Sequence, residues 1–433
     1  MPELSAGDTA WILTSAALVL LMTPGLAFFY GGMVRAKAVL NMLMMCFLAL
    51  AIVSVLWVLY GYSMSYDSTI GGLFGGFSLA GLASVGPSDL AGTIPVLADV
   101  GFQAVFAIIT VALIAGAIAE RATFRGWAVF IVLWATVVYF PVAHWVWGEG
   151  WIGEFGAIDF AGGTAVHINA GAAALALAIV IGPRLGWKRD PMKPHNVPFV
   201  LLGAGLLWFG WFGFNAGSAY AADGIASSAW VTTLAATAAA ILGWLLVDVV
   251  REQKTTAIGA ASGAIAGLVA ITPAAGFVSP MGSILIGLVA GVICALAVGL
   301  KYRLGYDDSL DVVAVHLVGG LVGTLMIGLV ANETYTGDAA LVGLLYGGGI
   351  ELLGKQAVAA GAVTLYSFVA ALIFGLLIHR TIGFRVSEDA EVGGIDLASH
   401  AEAAYEITAA SGPSGRQTAS VGSTAPAKEG SVS

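Results

Sequence analysis

The sequence predicts an all-α polytopic membrane protein: eleven transmembrane helices, arranged as two inverted five-helix halves plus a C-terminal helix. Three observations carry this. Of the 433 residues, 59% are hydrophobic and only 10% are charged, whereas soluble domains carry about 25% charged residues. Apolar runs recur along the chain, each near the roughly 20 residues that cross a bilayer. Basic residues gather between alternate runs, so the two sides of the membrane differ sharply in charge.

The first nine residues are acidic and lack Lys and Arg; an apolar run at 10–33 follows, and Arg35 and Lys37 come after it. A signal peptide carries its positive charge in front of a shorter apolar core. This segment is therefore expected to stay as the first span, with the N-terminus outside. Further runs lie at approximately 39–62, 98–119, 127–147, 162–182, 198–219, 228–250, 256–275, 282–300, 311–331 and 358–379. The stretch 63–95 is too rich in Gly and Ser to span. With the N-terminus outside, only Lys355 of the 17 basic residues falls outside, leaving 16 inside. An odd number of spans permits two five-helix halves of opposite topology plus one extra helix, the plan of many transporters.

Traces of the repeat are visible. Pro24-Gly25 through Tyr30-Gly31-Gly32 in the first span and Trp208 to Gly217 in the sixth are both aromatic clusters among glycines. His167 in the fifth span and His316 in the tenth each follow an aspartate, Asp159 and Asp311, at unequal spacings of eight and five. The chain has 59 glycines, with G-x-x-x-G spacing at Gly263/Gly267, Gly287/Gly291 and Gly319/Gly323, a pattern that suits close helix packing in lipid. Cys46 and Cys294 both lie in apolar runs and read as small core residues. Residues 1–382 form the membrane domain. Residues 383–433 form a polar tail, of which 406–433 is expected to be disordered.

Asp159 opens the stretch that leads to His167. Eight helical residues rise about 12 Å, which places the imidazole well below the level of the carboxylate. An ionisable group at that depth is a functional hypothesis; the alternative is an N-cap aspartate and a core histidine bonded to a neighbouring helix. His316 occupies the equivalent span of the other half, which favours a shared site over two unrelated core histidines. No third deep Cys, Asp, Glu or His joins them, so no metal site and no cofactor is expected. Phe106, Trp147, Trp211 and Phe214 crowd the outer ends of the same spans, followed by Ser218. Aromatic faces attract cations; the alternative is an interfacial aromatic belt. No Walker loop, Rossmann fingerprint or nucleophile elbow is present, so the chain is not read as an enzyme, and no nucleic acid partner is expected.

These residues resemble the Amt/Mep/Rh ammonium transporters, on the bacterial Amt side. The matching strings are Asp159-Phe160-Ala161-Gly162-Gly163-Thr164 through His167-Ile168-Asn169, Gly210-Trp211-Phe212-Gly213-Phe214-Asn215-Ala216-Gly217-Ser218, and Pro24-Gly25 to Tyr30-Gly31-Gly32. Ala119-Glu120-Arg121, Ala270-Ile271-Thr272-Pro273, Asp311 to His316, and the tail from Gly383 to Tyr405 also match. The resemblance covers residues 10–405.

It implies a homotrimer of eleven-helix protomers in the bacterial inner membrane, the tail cytoplasmic, each protomer with its own pore for ammonium or ammonia. Phe106, Trp147 and Ser218 would form the outer ammonium site, with Trp211 beside it and Asp159 supporting it by holding backbone. Phe106 and Phe214 would be the stacked gate, His167 and His316 the pore pair, and Thr272 a residue shaping the vestibule. A PII-type signal protein is an implied cytoplasmic partner. A sensor on the same fold is the rival reading. Three departures stand out: Leu317 and Ala401 where glycine is common, and Gly393 in a usually charged stretch.

Overall fold

The computed structural model describes residues 3–405. Its membrane helices, in chain order, are α1 (Ala6–Met33), α2 (Ala36–Tyr66), α3 (Val96–Ile118), α4 (Phe124–Phe155), α5 (Gly163–Ile181), α6 (Val197–Gly217), α7 (Gly224–Glu252), α8 (Ala257–Ile271), α9 (Pro280–Leu304), α10 (Val313–Val330) and α11 (Glu351–Thr381). Ten of these are long and apolar enough to cross a membrane; α8 is apolar but has only 15 residues. It ends two residues before Pro273, which has no N–H to continue the ladder. The stretch 63–95 carries two short hairpins, Thr69–Ile70 with Phe74–Gly75 and Leu90–Ala91 with Ile94–Pro95. His144 holds this stretch: Nδ1 lies 3.0 Å from the Ser65 carbonyl and Nε2 lies 2.8 Å from Thr69 Oγ1.

Small residues bring the helices together. A Cβ on Gly287 or Gly291 of α9 would collide with the backbone of Ala236 and Ala240 on α7, and one on Gly267 of α8 would meet the Ala240 Cβ at 2.6 Å. Two of the three G-x-x-x-G pairs therefore use one ridge of α7, as close packing in lipid requires.

The inverted repeat is plainest where α5 meets α10. Both open with π-helical turns, Gly163–Ile168 and Val313–Val318, and each turn carries one of the deep histidines. Phe160 donates its N–H to the Pro273 carbonyl at 3.0 Å, and Ser309 donates to the Ala117 carbonyl at 3.3 Å. Each half thus ties its fifth-helix entry to the end of the other half's third helix. The partner of Asp159 in this symmetry is Asp308, not Asp311. Asp308 lies eight residues before His316, the same spacing as Asp159 to His167, and its carboxylate accepts the Val313 N–H at 2.7 Å. Asp311 instead sits in left-handed backbone, φ 60°, and pairs with Lys301 at 2.7 Å.

Of the three departures, packing bears on one. Leu317 fits against Gly171: any Cβ at Gly171 would clash with the Leu317 backbone. Ala401 has φ 55°, in the left-handed region that favours glycine. Gly393 has open space around its Cβ position.

Residues 383–405 pack onto the helix ends through α12 (Glu388–Gly393) and α13 (Ile395–His400). Phe384 is buried, Val386 donates to the Arg121 carbonyl at 3.0 Å, and Asp396 accepts the N–H groups of Leu40 and Asn41 at 3.0 and 2.8 Å. Beside them is a buried ionic network: Arg184 meets Asp307 at 2.9 Å and Glu120 at 3.3 Å, and Glu120 also meets Arg35 at 2.8 Å. Burial works to raise the Asp307 carboxyl, but the Arg184 hydrogen bonds and the charges of Arg121 and Arg184 outweigh it and hold it below its ordinary value. The expectation of disorder at 406–433 lies outside the described residues.

Candidate functional site

The site is built on α3, α4, α5, α6 and α10. A vestibule of about 790 Å³ opens at the face opposite the basic residues, lined among others by Phe106, Trp147, Phe160, Ser218 and Tyr220. The Trp147 indole is fixed because its Nε1–H donates to the Asp159 carbonyl at 2.9 Å. Its ring stands edge to face against Phe106, centroids 6.2 Å apart at 88°. Ser218 donates its hydroxyl proton to the Phe214 carbonyl at 2.8 Å, which leaves the Oγ lone pairs free to accept.

At the floor, Phe106 and Phe214 stack with centroids 4.1 Å apart at 27°. Both rings are buried. Phe106 comes from the third helix and Phe214 from the sixth, so the floor is closed by one ring from each half.

Below the rings, Met22, Leu26, Ile109, Leu113 and Ile265 wall a narrow passage that also touches His167 and His316. The two imidazoles face each other, centroids 5.3 Å apart at 23°, with Nδ1 to Nδ1 at 3.2 Å. A hydrogen bond between two Nδ1 atoms needs a proton on one and a lone pair on the other, so the pair holds opposite tautomers. His167 Nε2 has no partner among the described residues. Beyond the histidines, a second cavity of about 620 Å³ opens at the basic face, lined by Leu175, Gly182, Tyr306, Asp307 and Val313 among others.

Asp159 does not line the vestibule. Its Oδ1 accepts from Gly162 and Gly163 at 2.8 and 2.7 Å, and its Oδ2 from Thr164 and Ala165 at 2.7 and 3.1 Å. These are the otherwise unpaired N–H groups at the start of α5. One carboxylate therefore sets the helix that carries His167. Trp211, expected beside the outer site, lies below the Phe106/Phe214 stack, where its ring stacks on His167 at 5.4 Å and 19°. Thr272 is buried behind it, accepts the Trp211 indole N–H at 2.8 Å, and is not among the residues lining the vestibule. Asp99 and Tyr220 line the vestibule too; neither was singled out from sequence. Asp99 could have been found there, since Asp99, Gln103 and Phe106 fall at i, i+4 and i+7 on one helix face.

With this geometry in hand, comparison with known proteins identifies relatives along nearly the whole chain. The sequence model of the Ammonium Transporter Family matches residues 10–405. A protein of Mycobacterium tuberculosis named ammonium transporter is 56% identical, with 94% of this chain and 91% of that protein covered. One of Bacillus subtilis with the same name is 48% identical, with 92% and 98% covered. Among solved structures, Mep2 of Saccharomyces cerevisiae superposes with TM-score 0.83 at 34% identity, covering 89% of each chain. A structure titled Sensor Amt Protein superposes with TM-score 0.85 at 30% identity, covering 91% of this chain and 98% of that one.

Proposed function

The chain belongs to the Ammonium Transporter Family, and on that premise we propose that it recruits ammonium at an outer aromatic site and conducts ammonia through the apolar passage, with the proton moving separately over the histidine pair. The observation that carries this reading is the paired imidazoles at 3.2 Å beneath a closed aromatic floor in an otherwise apolar passage.

Magnitudes decide the form in which substrate crosses. A bare ion in a dry apolar passage faces a Born cost on the order of tens of kcal/mol. Ring faces such as those of Phe106 and Trp147 return about 2 kcal/mol. Neutral ammonia loses only the hydration of a polar group, a few kcal/mol. The substrate therefore gives up its proton at the Phe106/Phe214 gate. In the histidine pair one Nδ1 donates and the other accepts, so a proton can pass between them by exchange of tautomers. Trp211 and Thr272 hold the His167 ring in the plane that this exchange needs.

The same reading places the protein in the bacterial inner membrane as a homotrimer, N-terminus outside, with the docked tail and the Arg184 loop forming the cytoplasmic surface for a PII-type signal protein. A sensor reading has less support, because the relatives named transporters are 56% and 48% identical and the sensor structure only 30%. Purified protein in proteoliposomes tests the proposal. Ammonium should evoke a saturable current or uptake that potassium ions do not. A folded protein with no ammonium-dependent flux at any concentration would contradict it.

A further inference from the structure

We infer that Asp99 and Tyr220 fix the amide of Gln103 so that its Oε1 serves as a hydrogen-bond acceptor for the N–H groups of the recruited cation. The inference rests on the proposed function and adds a ligand atom to its outer site. The substrate class is a small cation bearing N–H donors, ammonium or a primary alkylammonium.

Asp99, Gln103 and Phe106 lie on one face of α3, and all three line the vestibule. Seven helical residues rise about 10 Å and close nearly two turns, so the carboxylate, the amide and the gate ring form a descending ladder. Asp99 and Gln103 are 7% and 6% exposed. Asp99 joins no ion pair among the described residues. Its two oxygens instead accept the phenol protons of Tyr62 and Tyr220, each at 2.8 Å.

A carboxylate that accepts at both oxygens has no proton to give. The Tyr220 proton is therefore committed to Asp99, and the Tyr220 oxygen can only accept. The group beside it is Gln103, with its amide nitrogen 2.5 Å from Tyr220 Oη. Only the NH₂ end of the amide can face that oxygen, so Oε1 must face away from it. Oε1 receives no hydrogen bond from any described residue. A buried acceptor left without a donor is destabilised, and a ligand N–H relieves it. Ser218 Oγ offers lone pairs from α6, and the rings of Phe106 and Trp147 offer their faces. Gln103 Oε1 is a second oxygen for an ion with several N–H groups, and Asp99 adds negative charge behind it in a weakly screened wall. Gln103 is the binding residue; Asp99 and Tyr220 are positioning residues.

The relay has a polarity that substitution can reverse. Asp99→Asn places an NH₂ group against one phenol. If that phenol is Tyr220, the Tyr220 proton turns to Gln103, the amide flips, and its NH₂ end meets the cation. The other orientation leaves the Tyr62 hydroxyl without an acceptor, so the flip is favoured. Gln103→Glu in the Asp99→Asn background restores an acceptor oxygen at the Oε1 position, because both ends of a carboxylate accept.

Ammonium-evoked current in proteoliposomes holding the purified full-length protein tests this, with gel filtration of every variant. Gln103→Leu should raise the half-saturating ammonium concentration about tenfold with the maximum current within about twofold of wild type. Gln103→Met, which also lacks the carbonyl, reads the same quantity should the Leu variant fold poorly. Asp99→Asn should shift half-saturation about tenfold, more than the roughly threefold of Tyr220→Phe, and the Asp99→Asn/Gln103→Glu pair should return to within about twofold of wild type. A purely structural Asp99 predicts no such rescue. Unchanged half-saturation in a folded Gln103→Leu variant, while Trp147→Leu shifts it, overturns the inference and leaves the proposed function standing. Absence of current in the wild type removes both.

Discussion

Asp159→Asn should destabilise the protein by roughly 3–6 kcal/mol, and the structure says why. The carboxylate accepts four backbone N–H groups, two at each oxygen, between 2.7 and 3.1 Å. An asparagine keeps one oxygen and points an NH₂ group at the other two donors. Each lost charge-assisted hydrogen bond is worth about 1.5–3 kcal/mol, and two are lost. At an unfolding entropy of about 2 cal/mol/K per residue, that lowers Tm by roughly 4–7 °C. Because His167 sits in the π-helical turn these donors begin, the ammonium-evoked current should fall as well. Asp308→Asn is the internal control. Its carboxylate accepts the Val313 N–H through one oxygen, while the other has no partner. Burial and the nearby Asp311 raise this carboxyl to about 6. An asparagine can keep the Val313 bond and removes a strained charge, so the cost should be about 1 kcal/mol or less. Thermal unfolding of the two variants in detergent measures both. Equal Tm values for Asp159→Asn and wild type, or a larger loss for Asp308→Asn, would refute the reasoning.

Three further outcomes are expected. Asp307→Asn leaves the buried Arg184 guanidinium without its nearest counter-charge and should cost about 3–5 kcal/mol near pH 7. Since the folded Asp307 carboxyl is held below its ordinary value, its contribution is present above the unfolded pKa of about 3.9 and is lost as pH falls through the folded value; unfolding scans should show wild type and variant converging only in that acid range. Ala401→Gly removes a left-handed alanine and should tighten docking of residues 395–405 by about 1 kcal/mol, read as slower amide exchange there; unchanged exchange would show that the strain is relieved elsewhere. Cysteines at Glu3 and Ser399 should label from opposite faces of sealed vesicles, and labelling from one face contradicts the proposed topology.

The helices were legible because hydropathy and flanking charge mark each run independently of its neighbours. Their ends were less so: α2 and α11 extend beyond the apolar runs at 39–62 and 358–379, because polar residues such as Glu351 and Lys355 pair at 2.7 Å and continue the helix past the hydrocarbon-like core. Asp308 was missed because three aspartates crowd residues 307–311, and only the backbone donor at Val313 distinguishes the one that caps. The equal eight-residue spacing to the histidines was the signal that could have found it. Phe106, Phe214, His167 and His316 could be grouped by depth, and the same reasoning could have separated Trp211 from the outer site: α6 runs outward from the basic loop, so Trp211, three residues before Phe214, lies about 4.5 Å deeper. The docking of the tail rests on Asp396 with Leu40 and Asn41, contacts more than 350 residues apart that no local pattern announces.

The central claim is that ammonia crosses the apolar passage while a proton moves over the His167–His316 pair. The most direct test is the current evoked by ammonium in proteoliposomes holding the His167→Phe/His316→Phe double variant, with gel filtration of the same preparation against wild type. The account predicts a normally assembled protein whose ammonium-evoked current is abolished. A normally assembled double variant with undiminished, ammonium-selective current would contradict it.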